Sequence, residues 1–125
     1  MLLEPCVAAL AASRANPDQL QRLWSRLEAI HAAERWLDYK EALYLTIGEI
    51  YALTGNGFLA AIFDVVLSAR RESRFDGLNP DEPVSLIVIN HTYEELRIML
   101  AAVESGDPGH AERAMRNFVT RMFAL

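Results

Sequence analysis

The 125-residue sequence contains one cysteine, Cys6, and one lysine, Lys40. A single thiol excludes an intramolecular disulfide framework and a cysteine-based zinc site, and it suits a reducing compartment. Long apolar runs are missing as well: Val84–Ile89 falls far short of the ~20 residues that span a bilayer. The opening Met1-Leu2-Leu3-Glu4-Pro5 has neither the basic start nor the apolar stretch of a secretory signal. Positive charge is scarce, with 12 Lys and Arg against 17 Asp and Glu, a net charge of −5. That balance argues against a nucleic-acid footprint on this chain as it stands. No glycine-rich phosphate loop is present, because Thr54-Gly55-Asn56-Gly57 lacks the Lys-Ser/Thr that would follow.

What is present suits one helical domain. The hydrophobic fraction is 52% and the charged fraction 23%, which excludes intrinsic disorder. At this length the chain buries roughly two thirds of its surface on folding, enough for a single core. Alanine is abundant and eleven of the twelve basic residues are arginine, both good helix formers. The expectation is a cytosolic all-α domain.

Punctuation divides the chain into six helical runs. Leu2–Ala15 carries Leu3, Val7, Leu10 and Ala11 at helical spacing, with Pro5 tolerable in the first turn. Asn16-Pro17-Asp18 supplies a cap, a first-turn proline and an acid; Leu20, Leu23, Trp24, Leu27 and Ile30 then form a stripe. Arg22, Arg26 and Glu28 fall off that stripe, on the solvent side. A third run covers Glu34–Leu53 and ends at Gly55. The fourth, Phe58–Ser73, is apolar on most sides and is expected at the centre of the fold. The segment Phe75–Pro83 reads as a loop. From Pro83 a helix is expected to Ser105, with the β-branched Val84–Ile89 assigned to it because no partner strand exists. Asp107-Pro108 starts the last helix, to about Phe123. Six antiparallel helices with short connections make a bundle.

Catalytic chemistry finds few residues. Cys6 has no histidine near it in sequence and is expected as a small buried hydrophobe. His31, His91 and His110 lack partners at ligand spacing. Glu94/Glu95 and Asp81/Glu82 are sequence neighbours, which on a helix diverge. This inventory does not make an enzyme, and no cofactor is expected.

Three blocks carry a resemblance. Leu2–Leu23 (LLEPCVAALAASRANPDQLQRL) is similar to an opening helix pair of the form LEp-x-aA-x-lAA. Ile47–Phe63 (IGEIYALTGNGFLAAIF) matches a helix ending in (S/T)GN and followed by a short apolar helix. Glu94–Met122 (EELRIMLAAVESGDPGHAERAMRNFVTRM) matches H-x-x-I-x-x-A-I-x-x-G-D-x-x-x-A-x-x-x-M-x-x-H. Together, and in this order, they resemble the FCD domain, the all-helical effector-binding and dimerisation domain of FadR-type GntR transcription regulators. The resemblance implies a bundle of about six helices spanning residues 1–125, a homodimer, and a winged-helix DNA-binding domain ahead of it that this chain lacks. An isolated or truncated effector domain is therefore expected, reaching DNA only through that absent domain. Its acidity fits, since the basic surface would lie on the other half.

The departures from the pattern are as informative. Many FCD domains hold a metal ion with one Asp and three His. Counted from Gly55, Gly106 and Asp107, those four positions fall on Leu43, Ile47, Leu96 and Phe118. Apolar side chains cannot coordinate a divalent cation, so no metal is expected. Two outcomes are open: an apolar pocket for a small hydrophobic or acyl effector, as the fatty-acyl-responsive FadR members imply, or a solid core in a purely dimerising module. For a pocket, Tyr44, Tyr93 and Arg97 are the nearby polar groups that could fix a head group.

Overall fold

A computed structural model describes residues 3–73, 77 and 79–123. The six helices are α1 (Leu3–Arg14), α2 (Pro17–His31), α3 (Trp36–Leu53), α4 (Gly57–Ser73), α5 (Leu86–Glu104) and α6 (Pro108–Phe123). No strand is present among the described residues, and the fold is the all-α bundle that the periodicity indicates.

Local chemistry sets most boundaries. Asn16 accepts a hydrogen bond from the Gln19 N–H at 2.9 Å and caps α2, with Pro17 in its first turn. Between α3 and α4, Gly55 takes φ +64°, a conformation that glycine enters without the cost a Cβ imposes. Asn56 Oδ1 then accepts from the N–H groups of Phe58 and Leu59, satisfying two donors at the start of α4. The α5–α6 corner repeats this device: Gly106 has φ +73° and Asp107 Oδ1 accepts from the His110 N–H at 3.0 Å.

Two helices start later than the sequence suggests, for one shared reason. Glu34 and Arg35 run extended beside Pro83 and Val84, forming an isolated antiparallel bridge, with Val84 N–H donating to the Glu34 carbonyl at 3.0 Å. Thus α3 begins at Trp36 rather than Glu34, and α5 at Leu86 rather than Pro83, capped by Ser85. The expected loop over Phe75–Pro83 lies partly outside the described residues. Its end, Asn79–Pro83, has a job: the Pro80 and Glu82 carbonyls accept from the Leu37 and Trp36 N–H groups and so cap α3.

The helices alternate in direction. Closely packed pairs are α1 with α6, α3 and α5; α2 with α3 and α5; α5 with α6; and α3 with α4. Taken in the order α2, α3, α1, α6, α5 and back to α2, five of them close a ring. Here α4 departs from expectation: it is not central but lies outside the ring on α3. Its inner face contributes Phe63, whose ring packs on Tyr51 at 4.8 Å. Its outer face leaves Phe58 73% and Val65 72% exposed. A helix apolar on most sides can be buried all round, or it can carry a second, uncovered apolar face; α4 is the second kind. Cys6 also corrects the sequence reading, because it is exposed on α1 while Val7, Ala8 and Ala11 face the core. On α2, Leu23, Leu27 and Ile30 are fully buried and Leu20 and Trp24 partly so.

Candidate functional site

The ring's interior lies between α3 on one side and α5 and α6 on the other. The helices α3 and α5 are not among the closely packed pairs, so side chains span the gap. One crossing is polar: the hydroxyls of Tyr39 on α3 and Thr92 on α5 share a hydrogen bond of 2.7 Å, both residues being buried. Arg121 on α6 donates to the same Thr92 oxygen at 3.3 Å, and its Nε pairs with Glu95 on α5. Its guanidinium also lies 5.9 Å from the centre of the Phe118 ring.

One helical turn further along each element stand the four positions singled out from the sequence. Leu43 follows Tyr39 by four residues, Leu96 follows Thr92 by four, and Phe118 precedes Arg121 by three, so each shares a face with its polar neighbour. Ile47 continues the α3 face. All four are buried, Leu96 completely and the others to within 4% exposure, and they belong to one core cluster. Among the described residues no group of three His, Cys, Asp or Glu is placed to hold a metal ion.

The three polar candidates are distributed differently. Tyr44 is buried on α3. Tyr93 points to α2, where its hydroxyl donates to Glu28 at 2.6 Å and its ring stacks on His31 at 4.5 Å. Arg97 pairs with Glu94 one turn away on the outer surface of α5. Tyr93 and Arg97 thus direct their polar groups to Glu28 and Glu94.

The groups that flank Leu43, Leu96 and Phe118 are Tyr39, Thr92, Glu95 and Arg121. Burial pushes the Tyr39 phenol above its ordinary range; its hydrogen bond to Thr92 and the nearby Arg121 charge pull it down, and Glu95 pushes it up. Both members of the ion pair are therefore close enough to act on a phenol of α3. Sequence reading missed this set because three helices supply it, and no motif joins residues that lie 53 and 29 positions apart. The spacing Tyr39–Leu43, Thr92–Leu96, Phe118–Arg121 was the available signal. An open groove lined by Pro17, Leu20, Gln21, Trp24 and Glu104 lies elsewhere on the surface; there the Trp24 indole N–H donates to Glu104 at 2.7 Å.

Comparisons with known proteins agree with this architecture. The family model described as the FCD domain matches residues 1–121. McbR/YncC of E. coli has a similar fold, with a TM-score of 0.72 and 18% sequence identity over 98% of this chain. The chain spans 61% of that neighbour's length. A search of curated proteins gives no match. With the six-helix bundle, the two capped corners and a family match over nearly its whole length, this chain belongs to the FCD-domain family, the helical regulatory domains of GntR-type transcription regulators.

Proposed function

We propose that this chain is the effector-binding and dimerisation domain of a GntR-type regulator, and that it senses a small hydrophobic or acyl ligand without a metal. The observation that carries the reading is the burial of Leu43, Ile47, Leu96 and Phe118 together inside the helical ring, in the register where relatives keep one Asp and three His. Replacing charged ligands by roughly leucine-sized groups exchanges a cation site for an apolar one. A ligand that pushed these side chains aside would separate α3 from α5 and α6. In the complete regulator that movement would shift the placement of two DNA-binding domains, provided the ligand binds one arrangement better than the other.

The test is a melting series with saturated fatty acids and acyl-CoA thioesters, combined with elemental analysis of the purified protein. A chain-length-dependent rise in Tm and the absence of stoichiometric zinc or nickel are expected. No shift with any chain length would favour the second reading, a ligandless dimerisation module, which draws on the near-complete burial of the same four residues. Stoichiometric metal would overturn the register itself.

Dimerisation is assigned to the outer face of α4. Phe58, Ala61 and Val65 are exposed at helical spacing, and an uncovered apolar stripe on a small domain marks an interaction surface. A second copy of the chain can cover it isologously, α4 against α4. Val65→Glu should leave the melting of the fold nearly unchanged and convert a dimer to a monomer in sedimentation equilibrium. A wild type that sediments as a monomer at micromolar concentration would count against the assignment.

A further inference from the structure

We infer that Glu4 and Arg70 form a latch between the first turn of α1 and the last turn of α4, so that the end of α4 cannot lift without disturbing the start of α1. The pair joins residues 66 positions apart, with Arg70 Nη2 3.3 Å from Glu4 Oε1. The helices α1 and α4 are not among the closely packed pairs, so these side chains reach between elements that do not pack closely on each other. The neighbouring Arg71 turns to α3 instead and meets Glu41 at 3.0 Å. Consecutive side chains on a helix diverge by about 100°, and the two arginines thereby fasten the end of α4 to two different helices.

Burial makes the two pairs unequal. The Arg71–Glu41 side chains are 42% and 34% exposed, and an ion pair that open to water contributes little. The Glu4 side chain is 4% exposed, and its Oε2 meets no hydrogen-bond partner among the described residues. Arg70, at 27%, lies nearer to solvent. When the end of α4 lifts, the guanidinium passes into water and the carboxylate stays behind as a buried charge without its cation, a costly state. The first turn of α1 must then move to hydrate it. Removing the charge of Glu4 strands nothing comparable, because Arg70 can reach water. Three helices meet at this point: burial pushes the Tyr51 phenol of α3 up, Glu4 adds to the effect and Arg70 opposes it. The consequence for regulation rests on the proposed contact between copies through α4. Covering the outer face of α4 would hold Arg70 on Glu4 and steady the start of α1, the helix that the family pattern joins to the DNA-binding domain.

The experiment is amide hydrogen exchange of the full chain, read by mass spectrometry, with sedimentation equilibrium and urea denaturation of each protein. The proteins are wild type, Arg70→Gln, Glu4→Gln, the double variant and, as the exposed-pair control, Arg71→Gln. The reporters are the Val7–Leu10 amides, which bond back to the first turn of α1. Arg70→Gln should speed their exchange by about tenfold or more, the mark of a stranded charge. Glu4→Gln and the double variant should stay within about threefold of wild type there, and Arg71→Gln should leave α1 unchanged. Adding Val65→Glu should speed the α1 reporters in the wild-type background and not in the double variant. Acceleration confined to α4 in Arg70→Gln, or spread evenly over all six helices, would overturn the latch. So would a double variant as fast in α1 as Arg70→Gln. Denaturation covers a variant too unstable for exchange: the double variant should recover most of the stability that Arg70→Gln loses, and equal losses would overturn the stranded charge. A wild type that sediments as a monomer would overturn the contact between copies and not the latch, which the comparison of Arg70→Gln with Glu4→Gln decides.

Discussion

Tyr51 is buried on α3 with its ring against Phe63, and its hydroxyl meets no hydrogen-bond partner among the described residues. Burial, with the negative charge of Glu4 adding to it and Arg70 opposing it, pushes the phenol up to about 12. The fold therefore accommodates the neutral phenol. In the unfolded chain the group ionises near 10, whereas the native protein holds the proton until about 12. Below pH 10 both states keep the proton and stability is untouched; between 10 and 12 only the unfolded state releases it, so stability falls as pH rises. A gap of this size corresponds to about 2–3 kcal/mol. Tyr51→Phe should flatten that alkaline limb, leaving the smaller contribution of Tyr39, whose phenol is raised as well. At neutral pH the same variant should be more stable by about 1 kcal/mol, because it removes a buried hydroxyl that nothing satisfies. Urea denaturation at pH 7 and pH 11 measures both effects, and a variant destabilised at pH 7 would show that the hydroxyl has a partner after all.

At the scale of the element, α4 is the least secured helix, since α3 is its one closely packed neighbour. Its first turn depends on Asn56, whose side-chain oxygen accepts from two backbone donors, next to a Thr54 hydroxyl that donates to the Tyr51 carbonyl at 2.6 Å. Asn56→Ala should cost about 1–2 kcal/mol. Because α4 packs on one face, the loss should appear as faster amide exchange in α4 with α2 and α6 little changed. Uniform acceleration across all six helices would show instead that α4 opens only with the whole domain. The corners at Asn16, Gly55-Asn56 and Gly106-Asp107 were legible in the sequence because each is a local transaction between a side chain and backbone two or three residues on. The starts of α3 and α5 were not, because Glu34 and Val84 pair across fifty residues of chain. Nor was the position of α4. Apolar residues on every side of a helix record how much of it is covered, not whether its own chain or another covers it.

The molecule as a whole is a ring of five helices with α1 packed on α5 across it, and side chains close the space between α3 and α5. Leu43, Ile47, Leu96 and Phe118, reached by counting along the motifs, all belong to the buried core. Counting could not locate the polar set of Tyr39, Thr92, Glu95 and Arg121, which exists only once α3, α5 and α6 are brought together. Phe118 joins the two halves, being buried among the apolar four and lying under the Arg121 guanidinium. Truncating it removes interior volume and a cation–aromatic contact at once. Phe118→Ala should cost about 3–5 kcal/mol, within the roughly 5–15 kcal/mol that holds a domain of this size folded. With an unfolding entropy of about 2.1 cal/mol/K per residue, the expected drop in Tm is about 11–19 °C. The ring scaffold itself does not depend on this side chain, so the variant should remain helical at 25 °C with an enlarged apolar interior. A space bounded by the buried core around Leu43, Ile47 and Leu96, with the Arg121 guanidinium at one edge, is mostly apolar, and an apolar cavity accepts apolar guests. Tetradecanoate should therefore restore more Tm to Phe118→Ala than it adds to wild type, because in the variant the chain refills lost volume while in wild type it must displace a packed ring. Equal shifts in the two proteins would place the ligand away from Phe118, and a variant that loses less than about 1 kcal/mol would show that the interior is not packed around it.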